Sequence, residues 1–332
     1  MTNWLCNDVD LFSVLMPTKD RPEFLKRSLD FLARQGFAGQ VLITDGSSDD
    51  MASQNTQIVN NQKKISIVYI HTGNIENQWT EMHQGLKEVT SKYSMLYHDD
   101  DFFFLDEIDH CLDFLESSKD YVSARGRFVW IERQSDQFQL EVMPMYSHTE
   151  TVNERRIASM FASYCHLCFN VMRRETFLNA LDHIPRYFPR CGWFDQFAVT
   201  IVCGVRGKSY TSPGLYCIRQ VHSGQSGIRF VANHEYDHWP MIIASPEFSN
   251  YYQNFRRCLI DACRDFVSID DEKLGEIIDH GLLALINRGC GVRPPLERPD
   301  KELLARIKNS SSIDHQRMCQ ILPFLAPVSS EE

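Results

Sequence analysis

Three consecutive carboxylates, Asp99, Asp100 and Asp101, follow the mostly apolar run Tyr93-Ser94-Met95-Leu96-Tyr97-His98. Carboxylates crowded together repel one another. The usual remedy is a divalent cation that takes oxygen ligands, Mg²⁺ or Mn²⁺. In an extended chain Asp99 and Asp101 project to one face, about 7 Å apart at ~3.3 Å per residue. That spacing suits one carboxylate on a metal and the other on a hydroxyl or a metal-bound water. The same residues also read as an acidic turn before a helix, since Asp caps helices and Leu105-Asp106-Glu107-Ile108 resembles a helix start.

The elements that must position these residues alternate in type. Leu11 to Met16 is a short apolar strand stopped by Pro17, and Arg21 to Gln35 has apolar residues at helical spacing. Gln40 to Thr44 reads as a second strand and ends in the polar turn Asp45-Gly46-Ser47-Ser48-Asp49-Asp50. Ile65 to Ile70 is a third strand, Ile75 to Thr90 a helix and Tyr93 to Tyr97 a fourth strand. Such alternation predicts an α/β fold, with a mainly parallel sheet flanked by helices. Ligands of these sheets lie at the carboxyl ends of the strands. Pro17 to Arg21, Asp45 to Asp50 and His98 to Asp101 are three polar strand ends, and their coincidence favours the metal reading over the helix cap.

Past residue 120 the pattern changes. Tyr121 to Ile131 and Gln137 to Met143 look like antiparallel strands, Ala162 to Val171 is an apolar strand-like segment, and Glu175 to Leu181 is a short helix. Cys191-Gly192-Trp193-Phe194-Asp195-Gln196 opens the apolar helix Phe197 to Cys203. Tyr210 to Arg219 is a late strand before the Gly- and Ser-rich loop His222 to Gly227. Two amphipathic helices, Asn250 to Val267 and Asp271 to Asn287, follow. We expect one domain over residues 1–240 and a helical C-terminal extension over 241–332. The extension is expected to pack on the first domain, with a homodimer contact or a border of the ligand site as the sharper alternative.

Composition narrows the function classes. The 332 residues carry a net charge of −10, which argues against a non-specific nucleic-acid binder. No apolar run reaches the ~18 residues of a transmembrane segment, and the polar, acidic start Met1 to Asp10 does not read as a signal peptide. The 11 cysteines are scattered and odd in number, which fits reduced thiols in a cytoplasmic protein. Cys165-His166-Leu167-Cys168 lacks a second Cys-x-x-Cys pair, so core packing is expected there rather than zinc.

Together the motifs resemble family-2 glycosyltransferases, which have the GT-A fold that binds nucleotide sugars. Phe12-Ser13-Val14-Leu15-Met16-Pro17-Thr18-Lys19-Asp20-Arg21-Pro22 resembles their opening, Asp45-Gly46-Ser47-Ser48-Asp49 their second motif, and His98 to Asp101 their D-x-D metal motif. Trp193-Phe194-Asp195 stands where the family carries the catalytic base of inverting members, and His222 where many members place a histidine near the metal or diphosphate. Three places depart from the pattern, one of them Met82-His83 ahead of Gly85, where the family often has Arg-Asn. Thr44 replaces the first of two acidic residues, and His98 stands where an Asp is common. The metal pair is accordingly either Asp99 with Asp101, or Asp100 with help from His98.

The resemblance implies a nucleotide-sugar donor, a glycan or other hydroxyl acceptor, and Mn²⁺ or Mg²⁺ as cofactor. It assigns Pro17, Thr18, Lys19, Arg21, Asp45, Asp99 and Asp100 to the donor, Asp99, Asp101 and His222 to the metal, and Asp195 to proton abstraction from the acceptor. Asp195 as a helix cap is the plain rival reading. A sugar-phosphate nucleotidyltransferase is the alternative enzyme, although Pro17-Thr18-Lys19-Asp20 lacks the glycine its first turn would need. A non-catalytic sugar-nucleotide-binding protein is the alternative outside enzymes.

Overall fold

A computed structural model describes residues 4–73, 75, 77–134, 137–143, 145–188, 193–221, 243–289 and 300–325. Its first half is a parallel α/β unit. Strands β1 (Phe12–Thr18), β2 (Gln40–Asp45), β3 (Ser66–His71) and β4 (Tyr93–Leu96) alternate with helices α1 (Pro22–Gln35), α2 (Asp49–Asn61) and α3 (Gln78–Leu86). The strands lie in the order β3-β2-β1-β4, all parallel. The central runs Val14-Leu15-Met16 and Val41-Leu42-Ile43 are buried on both faces, which is why they read as continuous apolar stretches rather than alternating ones.

The second half adds antiparallel pairing. β5 (Asp101–Phe103) and α4 (Leu105–Ser117) lead into the long strand β6 (Tyr121–Gln134) and its hairpin partner β7 (Gln137–Val142). Then come α5 (Asn153–Ala162), β8 (Val171–Arg173), α6 (Arg174–Tyr187), α7 (Trp193–Gly204) and β9 (Lys208–Val221). β8 joins the two halves, antiparallel to both β4 and β6, while β9 runs parallel to β6 and antiparallel to β5. The result is one mixed sheet with helices on both sides.

The C-terminal helices α8 (Phe248–Cys263), α9 (Asp271–Gly289), α10 (Lys301–Lys308) and α11 (Ile313–Ile321) cover this sheet unit at two places. Phe255, Leu259, Leu274 and Ile278 of α8 and α9 belong to the main core. Leu303, Ile307 and Ile321 of α10 and α11 pack in a second cluster with Phe31, Phe102 and Phe104.

Some boundaries differ from the sequence expectation, each for a local reason. Pro17 lies inside β1 instead of ending it. Its missing N–H faces the β4 side, where pairing has already stopped at Leu15 with Leu96, so no ladder bond is lost. Helix α3 starts at Gln78, three residues later than expected, because the Asn77 side chain caps it by accepting from the Trp79 N–H at 2.9 Å. The apolar segment before β8 is mostly not a strand: only Val171–Arg173 pairs, and Cys165 and Cys168 are buried in irregular chain.

Candidate active site

The carboxyl ends of β1, β2 and β4 converge, and their loops are stitched to one another. Asp20, after β1, takes the left-handed φ of 54°, which Asp tolerates better than most residues. Its N–H donates to Ser47 Oγ at 2.7 Å, and its carboxylate accepts from the Ser48 N–H at 2.9 Å. The Gly46 N–H donates to the Thr18 carbonyl at 3.0 Å. The loop after β1 is thereby fixed against the loop after β2.

Asp45 ends β2 with no exposure at all. Its carboxylate accepts from the Ser47 N–H at 2.8 Å, from Asn55 Nδ2 at 2.8 Å and from Tyr69 Oη at 2.5 Å. Thr44, the departure from the family pattern, points the other way. It lies under α3, where a Cβ at Gly85 would come within 2.5 Å of Thr44 Cγ2. Glu81 of α3 covers the Asp45–Gly46 turn, and burial, with Lys19 opposing and Asp45 assisting, pushes its carboxyl up to about 7.

The three carboxylates after β4 divide their tasks. β4 ends at Leu96, so the alternation of an extended strand does not reach Asp99 to Asp101. Asp99 turns toward β1, where it accepts from Thr18 Oγ1 at 2.7 Å and pairs with Arg21. Arg21 also reaches Asp100 Oδ2 at 3.1 Å. Burial works against the Arg21 charge, but Asp99 and Asp100 outweigh it and the guanidinium holds its proton more tightly. Asp101 opens β5 and accepts from Arg219 Nε of β9 at 3.0 Å, while its buried Oδ2 has no hydrogen-bond partner among the described residues. Burial raises the Asp99 and Asp101 carboxyls, against the pull of Arg21 and Arg219.

Three residues that could hold a metal ion meet here, His98, Asp100 and Asp101. Each offers one ligand atom, all within 4.8 Å of one another. Burial, with Arg219 beside it, pushes His98 down to about 3, so its ring is neutral at ordinary pH and able to donate a lone pair. Of the other expected site residues, Pro17, Thr18, Lys19 and Arg21 lie on the adjoining β1 end. His222 lies outside the described residues, immediately after β9.

Asp195 sits in the first turn of α7, buried at 1% exposure. Tyr164 is close enough that Asp195 adds to the rise of its hydroxyl, which burial dominates. Tyr164 Oη is 2.8 Å from His166 Nδ1, and the His166 and His98 rings each meet Phe169 edge-on, at 6.2 and 5.0 Å. Tyr164, His166 and Phe169 thus form an aromatic wall beside His98, and Asp195 is near enough to act on Tyr164 electrostatically. Phe194, beside Asp195, packs on Phe248 and Phe255 of α8 at centroid distances of 6.1 and 5.3 Å.

Sequence reasoning missed several residues that hold this site. Ser28 Oγ donates to the Asp99 carbonyl at 2.5 Å, and Arg27 Nη2 to the Asp100 carbonyl at 3.2 Å. A signal existed: Ser28 is two helical turns after Arg21 and shares its face of α1. Arg219 was also missed, although a lone charge after the apolar Tyr216-Cys217-Ile218 marks a special position.

Comparison with known proteins agrees with this geometry. Residues 13–178 match the model of the family described as glycosyl transferase family 2. That span is half of the chain, and the protein belongs to this family and is a glycosyltransferase. No curated protein matches the chain. Among solved structures it resembles S. aureus TarS 1–349 in complex with UDP-GlcNAc, with TM-score 0.54 and 13% identity over 95% of this chain and 80% of that one. It resembles the same TarS 1–349 in complex with UDP with TM-score 0.52 and 15% identity, over 84% of this chain and 71% of that one. A longer S. aureus TarS structure gives TM-score 0.51 and 11% identity over 95% of this chain and 54% of that one. At these identities the likeness concerns the fold, the GT-A type. No helix among the described residues is long and apolar enough to cross a membrane.

Proposed function

We propose that the protein is a metal-dependent, inverting glycosyltransferase that moves a sugar from a nucleoside diphosphate to an acceptor hydroxyl. The observation that carries this reading is the meeting of His98, Asp100 and Asp101 beside the Thr18–Arg21 loop, at the carboxyl ends of β1 and β4. The donor set fits a divalent ion. Two carboxylates supply hard oxygens, the buried Oδ2 of Asp101 has no protein partner, and a neutral imidazole nitrogen suits Mn²⁺ better than Mg²⁺. A bound cation would offset the negative charge that develops on the departing diphosphate.

The chain supplies the rest. Arg21, held by Asp99 and Asp100, presents a fixed positive group at the mouth of the β1 loop, with Lys19 next to it in sequence. The Asp45 turn, with Pro17 and Thr18, forms the floor on which the nucleotide lies. Asp195 takes the proton from the acceptor hydroxyl as that oxygen attacks the anomeric carbon from the side opposite the leaving group, so configuration inverts. We assign residues 1–240 to the catalytic domain and 241–332 to an extension. Its helix α8 backs Phe194 and so steadies the α7 turn that carries Asp195.

The TarS structures contain UDP and UDP-GlcNAc, which makes uridine nucleotides the first to try. Calorimetry of UDP binding, with Mn²⁺ and then with EDTA, tests the reading. Binding should be tight with metal and weak without it. Equal affinity in both would end the metal-dependent reading. Donor binding without any transfer or slow hydrolysis would favour a binding protein.

A further inference from the structure

Next to the metal-ligating group lies a cavity of about 230 Å³, whose wall includes Arg125, Trp130, Met143, Tyr164, Phe169 and Arg219. Arg219 ties it to the group by its bond to Asp101, and Phe169 by its contact with His98. We propose that this cavity receives an anionic group of the substrate, a carboxylate or a phosphate, on the guanidinium of Arg125. The inference rests on the transferase reading above.

Arg125 is 1% exposed, at the centre of β6. Arginine keeps its charge under all ordinary conditions, and a buried charge is costly unless paired. Among the described residues no carboxylate comes within ion-pair distance of Arg125. The only hydrogen bond it makes there runs from Nη1 to the His166 carbonyl at 2.6 Å. Among the described residues Nε and Nη2 have no hydrogen-bond partner. These two nitrogens form one edge of the guanidinium, the edge that takes two oxygens of a carboxylate or phosphate side by side. Glu107, from the neighbouring helix α4, is already engaged by Ser212. The field of the unpaired charge registers on Cys165: burial would raise its thiol, yet Arg125 and His148 outweigh it and bring it down to about 7.

The rest of the wall suits a sugar-bearing anion. Trp130, Tyr164 and Phe169 offer flat apolar faces, and Arg219 adds a second positive group at the border with the metal-ligating residues. The volume is below the ~300–1,000 Å³ of drug-sized sites, which fits one ring or one charged substituent. The anion can come from either substrate, a uronic acid in the donor or a phosphate in the acceptor.

Calorimetry on the full chain separates these sources. In the donor arm, UDP-glucuronate is compared with UDP-glucose in Mn²⁺. In the acceptor arm, glycerol 3-phosphate is compared with glycerol in the presence of UDP and Mn²⁺. In one arm the charged probe should bind at least about tenfold more tightly than its neutral counterpart, and Arg125→Gln should erase the difference while UDP binding persists. Arg125 is buried, so a second variant guards against misfolding: Met143→Glu puts a competing carboxylate on the cavity wall and should erase the preference as well. A preference in the donor arm assigns the anion to the donor sugar, and in the acceptor arm to the acceptor. Equal binding of charged and neutral probes in both arms, with UDP binding intact, overturns the anion site alone, as does a preference that survives in both variants. An anion preference without any UDP binding would instead overturn the uridine-nucleotide donor of the reading above and leave the site standing.

Discussion

Asp45 and Asp101 end or begin strands of the same sheet, and both are completely buried, yet their surroundings are opposite. Asp45 is saturated from within by Ser47, Asn55 and Tyr69. Asp101 has one oxygen on Arg219 and the other on nothing among the described residues. Burying a carboxylate without a partner costs free energy, so an oxygen left this way marks where an outside ligand belongs. The β2 side of the site is a finished scaffold. The β4–β5 side is left open at Asp101, as β6 is at Arg125, and the proposed cation and anion would complete them. Four variants put this contrast to the test.

The largest effect should come from Asp195→Asn. The replacement keeps the shape and the hydrogen bond to the Gln196 N–H but cannot accept a proton. Transfer should fall about 10²–10⁴-fold, with donor affinity unchanged. Steady-state kinetics beside UDP calorimetry measures both. Full turnover in the variant would move the base elsewhere, and a product of retained anomeric configuration would refute inversion.

Next is Glu81, which shows that the finished side is not free of charge penalties. Its carboxyl lies over the Asp45 turn and rises from 4.5 to about 7, chiefly through burial. Between those values the folded protein binds a proton that the unfolded chain has already lost. Stability from this group is therefore complete below pH ~4.5 and declines as pH rises toward ~7, by about 3 kcal/mol at 1.36 per unit. Glu81→Gln should remove that slope. Urea unfolding of both proteins from pH 4 to 8 gives the difference directly, and parallel curves would mean that the carboxyl is not perturbed.

The third variant addresses the unfinished side. At a ligand concentration 100 times the Kd, UDP with Mn²⁺ should stabilise the wild type by about 2.7 kcal/mol, and Asp101→Asn should lose most of this. Thermal shift with and without the metal is enough. An undiminished shift would mean that Asp101 is not a ligand and that its bare oxygen needs another explanation.

The contrast also tracks what could be read from the sequence. The parallel half was legible because Val14 to Met16 and Val41 to Ile43 are buried on both faces and carry no ambiguity of register. The three polar strand ends were legible for the same reason, since apolar runs that stop abruptly in Asp mark carboxyl ends. Asp100 with His98 was one of two pairs the sequence left open; that Asp101 joins both could not be read, because the chain leaves the strand at Leu96 and period two no longer applies. Arg125 was invisible. The strand Tyr121 to Ile131 carries two arginines, which look like outward residues, and only the setting of β6 between β8 and β9 leaves Arg125 buried. Tertiary context outranks local pattern where strands from distant segments meet.

The smallest effect belongs to Asp45, and it tests the idea of a finished scaffold most directly. Asp45→Ala would strand the Asn55 amide and the Tyr69 hydroxyl, and Asn55 has no exposure. Leaving buried donors unpaired costs about 1–3 kcal/mol for each group, but Tyr69 is only partly buried and also lies 3.3 Å from the Ala52 carbonyl, and Asn55 Nδ2 lies 3.3 Å from Ser47 Oγ. A net loss of about 2 kcal/mol is therefore expected, seen as a lower urea midpoint with an unchanged slope. The same change should weaken UDP binding in the folded protein only modestly, because the carboxylate is turned toward its own chain. Unchanged stability combined with abolished UDP binding would reverse the assignment: Asp45 would then be a ligand-facing group like Asp101, released from Asn55 and Tyr69 when nucleotide binds.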